Sequence, residues 1–381
     1  MTGTESTAAD LRYSEVEQEL RGNVRALIAA RSPQPAVLAR TESGQPVDTG
    51  LWRALAAELG VTGLAVPEKS GGAGAGWRET AVVLEELGRA AAAVPYLGSS
   101  VLATAALLAA DDGVLLPAVA SGERVAALAV PFATAPGGAF PGSRPGAVEL
   151  RDGLLHGSVG RVADALTADL LLVPAVTAEG SPGLYAVDRA ADGCAVDPLV
   201  SLDMTRPLAD LGFTAAGGRL LAEGPAALGA VDRALTVGAA LLASEQLGVA
   251  EWALETTLDY VKVRHQFGRP VGSFQAVKHR LADLWVSVTQ LRAVARYAAD
   301  AVATDSPDSA VAASVAQAFG SQVAVTAAEE AVQLHGGIGF TWEHPAHLYL
   351  KRAKSASIAL GTADRHRARL AGLVGLPAGA D

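Results

Sequence analysis

Apolar residues recur at three- and four-residue spacing through the first third of the chain: Val16, Leu20, Val24 and Leu27, then Leu51, Leu55 and Leu59, then Val82, Val83, Leu84 and Leu87. This is the period of helices that bury one face. The stretch Val66-Pro67-Glu68-Lys69-Ser70-Gly71-Gly72-Ala73-Gly74 interrupts them, because proline and clustered glycine stop helices and allow close backbone approach. From Arg124 to Glu223 the texture changes to short apolar runs (VAALAVPF, AVEL, LLHGSVGRV, LLLVPA, GLYAV), and Asp152-Gly153 between two of them is a hairpin signal. From Val231 onward the helical period returns in long segments, Leu235 to Leu258, Ala276 to Ala303 and Ala310 to Leu334. Helices this long and apolar pack against one another and against other subunits. The order predicts an α+β fold: a helical domain over residues 1–122, a small β domain over 123–228 and a helical bundle over 229–381.

Composition narrows the function. Of 381 residues, 50% are hydrophobic and 18% charged, enough for two or three cores. A net charge of −10 argues against a duplex nucleic acid partner. The single cysteine, Cys194, excludes an internal disulfide and Cys-rich zinc sites. The uncharged stretch Ala90 to Ala110 contains Pro95, Gly98, Ser99 and Ser100 and reads as helix and turn rather than a membrane span. The first twenty residues are acidic where a signal peptide needs a basic start, so a cytoplasmic location is expected. His344 and His347 flank Pro345 without a third ligand at zinc spacing, and no metal site is expected. Lys351, Arg352 and Lys354 read as a solvated basic helix face.

Two segments carry chemistry. Arg264-His265-Gln266-Phe267-Gly268-Arg269-Pro270, followed by Ser273-Phe274-Gln275-Ala276-Val277-Lys278, joins two long helices and gathers a cation, an amide, an aromatic ring and a glycine. Arginine there can grip a phosphate with two donors, and phenylalanine can cover a flat ring, although a helix-capping loop explains the same residues. In Gln333-Leu334-His335-Gly336-Gly337-Ile338-Gly339-Phe340-Thr341, three glycines within four residues let backbone amides approach a ligand, and equally serve a helix end.

Together, Arg-x-Gln-Phe-Gly, Phe-Gln-x-x-Lys and Gln-x-His-Gly-Gly-x-Gly-Phe at this separation resemble the acyl-CoA dehydrogenase family. Matches at Val66-Pro67-Glu68, Leu84-Glu85-Glu86-Leu87-Gly88-Arg89, Asp152-Gly153 to Gly157 and Ala168-Asp169 extend the resemblance over the chain. It implies a C-terminal four-helix bundle, FAD as cofactor, and oxidation of an acyl-CoA thioester to the trans-2-enoyl-CoA. In that reaction a carboxylate removes the α proton, the β hydrogen leaves as hydride, and electrons pass on to an electron-transfer flavoprotein. It also implies a dimer or tetramer in which Arg264, Phe267, Gly268, Gln275, Gln333, Gly336 and Gly337 contact the ADP half of an FAD seated in a neighbouring subunit, with Thr362 a further cofactor contact.

Three departures from the family pattern bear on catalysis. The base commonly precedes Gly-Thr near the C-terminus, where this chain has Leu360-Gly361-Thr362; a second family position for it corresponds to Gly238. Glu245, two helical turns beyond Gly238 and after the apolar run Leu235 to Ala243, is the candidate base, because a carboxylate in dry surroundings has its pKa raised. Pairing with a cation is the alternative for Glu245, and Glu251 a further candidate acid. The family's acid-containing loop beside the flavin is replaced by Ala129-Val130-Pro131 leading to Pro136-Gly137-Gly138, and its aromatic and threonine after Gly157 by Arg161 and Ala163. The chain's own flavin site is therefore expected to be degenerate while the half-site it donates is intact. Two arrangements fit: a homo-oligomeric flavoenzyme with Glu245 as base, or one non-catalytic or half-site-donating subunit of a heterotetramer that completes a partner's FAD site; another flavin reaction on the same fold is a further alternative.

Overall fold

A computed structural model describes residues 10–144 and 146–376. Its first helix, α1 (Glu15–Arg31), starts at a capping box in which Ser14 accepts from the Glu17 amide while the Glu17 carboxylate takes the Ser14 amide. There follow α2 (Gln34–Thr41), α3 (Thr49–Ala57, capped by Asp48), α4 (Trp77–Arg89), α5 (Thr104–Ala109) and α6 (Leu116–Ala120). The glycine-rich interruption forms tight turns, with Gly71 and Gly74 in left-handed conformations. The stretch Ala90 to Ala110 is folded into the core as a π-helical segment, Leu97–Ala103, running directly into α5.

The β domain runs from β1 (Ala126–Leu128) through β2 (Glu149–Arg151), β3 (Leu154–Ala163), β4 (Leu170–Thr177), β5 (Pro182–Asp188), β6 (Cys194–Pro198) and β7 (Leu208–Ala216) to β8 (Arg219–Glu223). The strands order as β6-β7-β3-β2-β4-β5-β8, with β1 parallel to β4. The turn between β2 and β3 places Asp152 and Gly153 at φ 51° and 79°, the left-handed pair that matches strand twist.

The C-terminal part contains α7 (Gly224–Val263), α8 (Gln275–Ala303), α9 (Ser309–His335), α10 (Ala346–Ala356) and α11 (Ala363–Leu373). Helix α7 begins eleven residues before the apolar run starting at Leu235, because Pro225 in its first turn and the alanines after it favour helix without extending the apolar stripe. Both α7 and the segment Ser309–Phe340 are long and apolar enough to cross a membrane, yet 72% and 61% of their most apolar windows are buried inside the fold, as in core helices. Helices α4 and α7 cross at two glycines: a side chain at Gly248 would strike the Glu85 carbonyl, and one at Gly88 the Glu245 carbonyl.

A buried ionic seam joins α1 and α4 to α7 and α8. Glu17 is paired with Arg78 and Arg296, Glu86 with Arg21 and Arg25, and Glu251 with Arg21, Arg89 and Arg292. Glu251 is thus committed to three cations, which removes it as an alternative base. Glu85 sits in the same seam, taking the Tyr13 hydroxyl and Arg21. Burial, followed by the neighbouring Glu251 charge, pushes its pKa up to about 7, against the pull of Arg21. A folded-state pKa above the unfolded value of 4.5 gives stability that is present below about pH 4.5 and lost as pH rises through 7. Thermal midpoints measured from pH 5 to 8 should therefore decline less with pH in Glu85→Gln than in the parent.

Candidate active site

The expected site residues fall in two places. The first is one end of the helical bundle. Strands β9 (His265–Gln266) and β10 (Arg269–Pro270) pair antiparallel around Phe267-Gly268, whose φ angles of 53° and 74° define a two-residue primed turn. The Arg264 amide donates to the Tyr260 carbonyl at 2.9 Å, and the Val271 amide to the Arg264 carbonyl at 2.7 Å, so the hairpin continues rigidly from α7. Phe267 is 91% exposed at the tip, its ring edge-on to Phe274, which the Arg269 guanidinium covers at 3.9 Å. A bulky side chain held in the left-handed region and almost wholly in solvent is what a docking residue looks like before its ligand arrives.

The second motif lies beside it. Helix α9 ends at His335, whose ring stacks on Tyr260 at 4.5 Å; Gly336 then takes φ 62° and opens the turn Gly336–Phe340. Gln333, Gly336 and Gly337 are exposed here, as are Arg264 and Gln275 at the start of α8. Among the described residues Arg264 has no carboxylate partner. An unneutralised guanidinium, exposed amides at a glycine turn and a presented phenyl ring fit the phosphate-bearing half of a dinucleotide. They form one exposed wall at the end of the bundle.

The second place is the contact between the β domain and the bundle, and here the expectation for Glu245 fails. Glu245 is 1% exposed and held by two guanidinium groups: Arg206 donates to Oε2, and Arg352 to both oxygens at 3.0 Å. Burial alone would raise its pKa, but Arg206 and Arg352 outweigh it and hold the carboxylate at about 2. A carboxylate this acidic and fully engaged cannot take a proton from a carbon acid near neutral pH. Arg352 also reaches the Thr205 carbonyl and hydroxyl at 3.1 Å and lies 3.5 Å from Asp203, and burial raises the pKa of the neighbouring Asp164, which accepts the Gly98 amide at 2.9 Å. The expectation of a solvated basic face therefore holds for the exposed Lys354 but not for Arg352, which is buried because Glu245 and Asp203 lie beneath it.

Both usual base positions converge on one spot, and apolar atoms fill it. A side chain at Gly238 would meet Leu102 of the π-helical segment and come within 3.0 Å of Leu360. Leu360 is buried at φ 53°, a conformation costing a leucine about 1 kcal/mol or more. Its surroundings fix it there: its amide donates to the Phe132 carbonyl at 2.7 Å, its carbonyl faces His366 Nε2 at 2.9 Å, and Gln317 from inside the bundle binds the Ala356 and Ala359 carbonyls. Gly361 is packed so that a side chain would fall 2.7 Å from Ala135. The Thr362 hydroxyl caps α11 by accepting the Arg365 amide. Thr362 thus lies in this seam, away from the other expected cofactor residues.

Sequence reasoning did not find Arg206, Asp203 or Asp164. The available signal was the acid Glu245 in an apolar helix, which demands a cation, together with Asp203-x-Thr205-Arg206 in the loop after β6 and an arginine one turn from Ala356 on α10.

Comparison with known proteins fixes the class. Residues 14–123 match the model of the acyl-CoA dehydrogenase N-terminal domain, and residues 228–374 that of the acyl-CoA dehydrogenase C-terminal domain. The chain belongs to the acyl-CoA dehydrogenase family, FAD-dependent oxidoreductases acting on CH–CH bonds. It is 36% identical to acyl-CoA dehydrogenase IpdE2 of Mycobacterium tuberculosis over 345 residues, 90% of this chain and 92% of the relative. In structure it matches the ChsE4-ChsE5 complex of Mycobacterium tuberculosis with a TM-score of 0.85 at 30% identity, covering 97% of this chain and all of that one. It also matches a G363A variant of the Tcur3481-Tcur3483 steroid acyl-CoA dehydrogenase with a TM-score of 0.82 at 33% identity, covering 95% and 98%.

Proposed function

We propose that this chain is one subunit of a heteromeric acyl-CoA dehydrogenase, in which it contributes the ADP-contacting wall of an FAD site while a homologous partner contributes the catalytic base. The observation that carries this reading is the interlocking of Leu360, Gly238 and Leu102 at the point where both usual base positions meet. Glu245 offers no substitute, because its two arginines hold it at a pKa of about 2. One structural relative is named as the ChsE4-ChsE5 complex and another carries the paired name Tcur3481-Tcur3483, which supports the same arrangement. A homo-oligomer would have a base at neither usual position in any of its sites, with Glu245 and Glu251 both held by arginines.

When bound, FAD supplies the hydride acceptor. Arg264, Phe267, Gly268, Gln275, Gln333, Gly336 and Gly337 would hold its ADP half from this chain's side, with Arg264 on phosphate and Phe267 against a ring face. Thr362 is left out of that role, since it lies in the interdomain seam. The substrate is an acyl-CoA thioester, and the naming of one relative as a steroid enzyme favours a bulky, polycyclic acyl group. Transfer of electrons to an electron-transfer flavoprotein completes the cycle. The test is isolation of the chain through an affinity tag from the cell that makes it. A second chain of similar size should co-purify and carry a glutamate at a position equivalent to Leu360 or Gly238; recovery of this chain alone, with flavin reduced by acyl-CoA, would reject the proposal.

A further inference from the structure

A column of five rings runs from the core to the end of the bundle. Tyr349 of α10 hydrogen-bonds the Arg89 carbonyl at 2.6 Å and stacks on Trp252 of α7 at 3.4 Å; Trp252 faces His344 at 6.4 Å, His344 faces His335 at 4.3 Å, and His335 stacks on Tyr260 at 4.5 Å. The residues that carry the last two rings adjoin the motifs that would contact cofactor: His335 directly precedes Gly336, and the Tyr260 backbone carbonyl accepts the Arg264 amide. We propose that His335 and His344 are positioning residues, whose stacked and uncharged imidazoles hold the Gly336–Phe340 turn against α7 and so set the shape of the cofactor-contacting wall. The role rests on the reading of that wall given above.

Hydrogen bonding places the His335 proton and fixes His344 as neutral. His335 Nδ1 is 2.7 Å from the Ala331 carbonyl, which can only accept, so Nδ1 carries the proton. His344 Nδ1 lies 3.2 Å from the Ala346 amide and accepts from it, so this nitrogen carries none. Protonating His344 would break that bond and set a cation at the N-terminus of α10, where the helix dipole opposes it. The titratable groups facing the pair are His347 of α10, itself beside Lys351, and Tyr260 of α7; none of the carboxylates in the described residues acts on either ring. Burial, then His335 and His347, push the pKa of His344 down to about 4, and burial lowers that of His335. Acid therefore converts a stack of neutral rings into facing cations beside His347, which drives the Gly336 turn from its place.

The test uses the flavin-bearing assembly purified through a tag on this chain, reading the fluorescence of released FAD across pH 8 to 4. In the parent, retention should fall on the acid side. His344→Ala should weaken FAD binding about tenfold at pH 7.5, the worth of one aromatic stack, and His344→Phe should restore it to within about threefold while flattening the acid limb. Parent-like affinity in His344→Ala, or an unchanged acid limb in His344→Phe, overturns the role; should His344→Ala fail to fold, the acid limb of His344→Phe decides. Arg264→Ala separates the two readings. Unchanged FAD binding in Arg264→Ala overturns the cofactor wall and this role with it, whereas weakened binding there beside a parent-like His344→Ala overturns the histidines' role alone.

Discussion

Glu245→Gln should destabilise the protein by about 3 kcal/mol or more, the usual cost of removing one partner from a buried ion pair. The two guanidinium groups it leaves, Arg206 and Arg352, are each 3% exposed and pair with no other glutamate among the described residues. Asp203 lies 3.5 Å from Arg352 through Oδ2, beyond hydrogen-bonding geometry, while its Oδ1 accepts the Thr205 amide, so it compensates only in part. The loss is structural because Glu245 on α7, Arg206 in the β domain and Arg352 on α10 belong to three separate parts of the chain. A catalytic base would behave differently: its amide isostere would keep the thermal midpoint and abolish flavin reduction. The acid limb agrees with the structural role. A folded-state pKa of about 2 against 4.5 unfolded gives stability present above about pH 4.5 and lost as pH falls toward 2, and the Gln variant should lack this component.

Arg264→Ala should have the opposite profile, with the fold intact and the assembly about thirtyfold weaker in FAD affinity, the worth of a charge-assisted bond to phosphate. Its side chain is exposed at the end of α7 and pairs with no carboxylate among the described residues, so little stability depends on it. Phe267→Ala should cost about tenfold through the lost ring contact and leave the left-handed strain at φ 53° in place, since alanine keeps the Cβ that causes it. Equilibrium dialysis against FAD, read beside thermal midpoints, distinguishes this pattern from that of Glu245→Gln.

The contrast between the two sites explains what could be read from residues alone. Helical period located both ends of α8 and α9 to within a turn, since burial of one long face writes itself into spacing, but found only the apolar centre of α7, whose ends lie eleven and five residues further out. Asp152-Gly153 identified the β2–β3 hairpin because only a primed turn fits it. The wall at the bundle end was legible because Arg264 to Gly268 and Gln333 to Gly337 are contiguous segments whose geometry is local, joined by the Tyr260 and His335 rings. The ion cluster was not. Arg206, Glu245 and Arg352 are separated by 39 and 107 residues, and no local rule pairs them across a domain boundary. Apolar surroundings around Glu245 were read as a means of raising its pKa, when the cations arriving from elsewhere in the fold lower it.

The visible spectrum under acyl-CoA titration tests the central claim most directly. The chain purified alone should show no flavin bleaching with any of a panel of straight, branched and polycyclic acyl-CoA thioesters, whereas the assembly with its partner should bleach, and replacing the partner's base with glutamine should abolish the response. Bleaching by this chain alone, persisting in a variant that lacks any partner, would contradict the account.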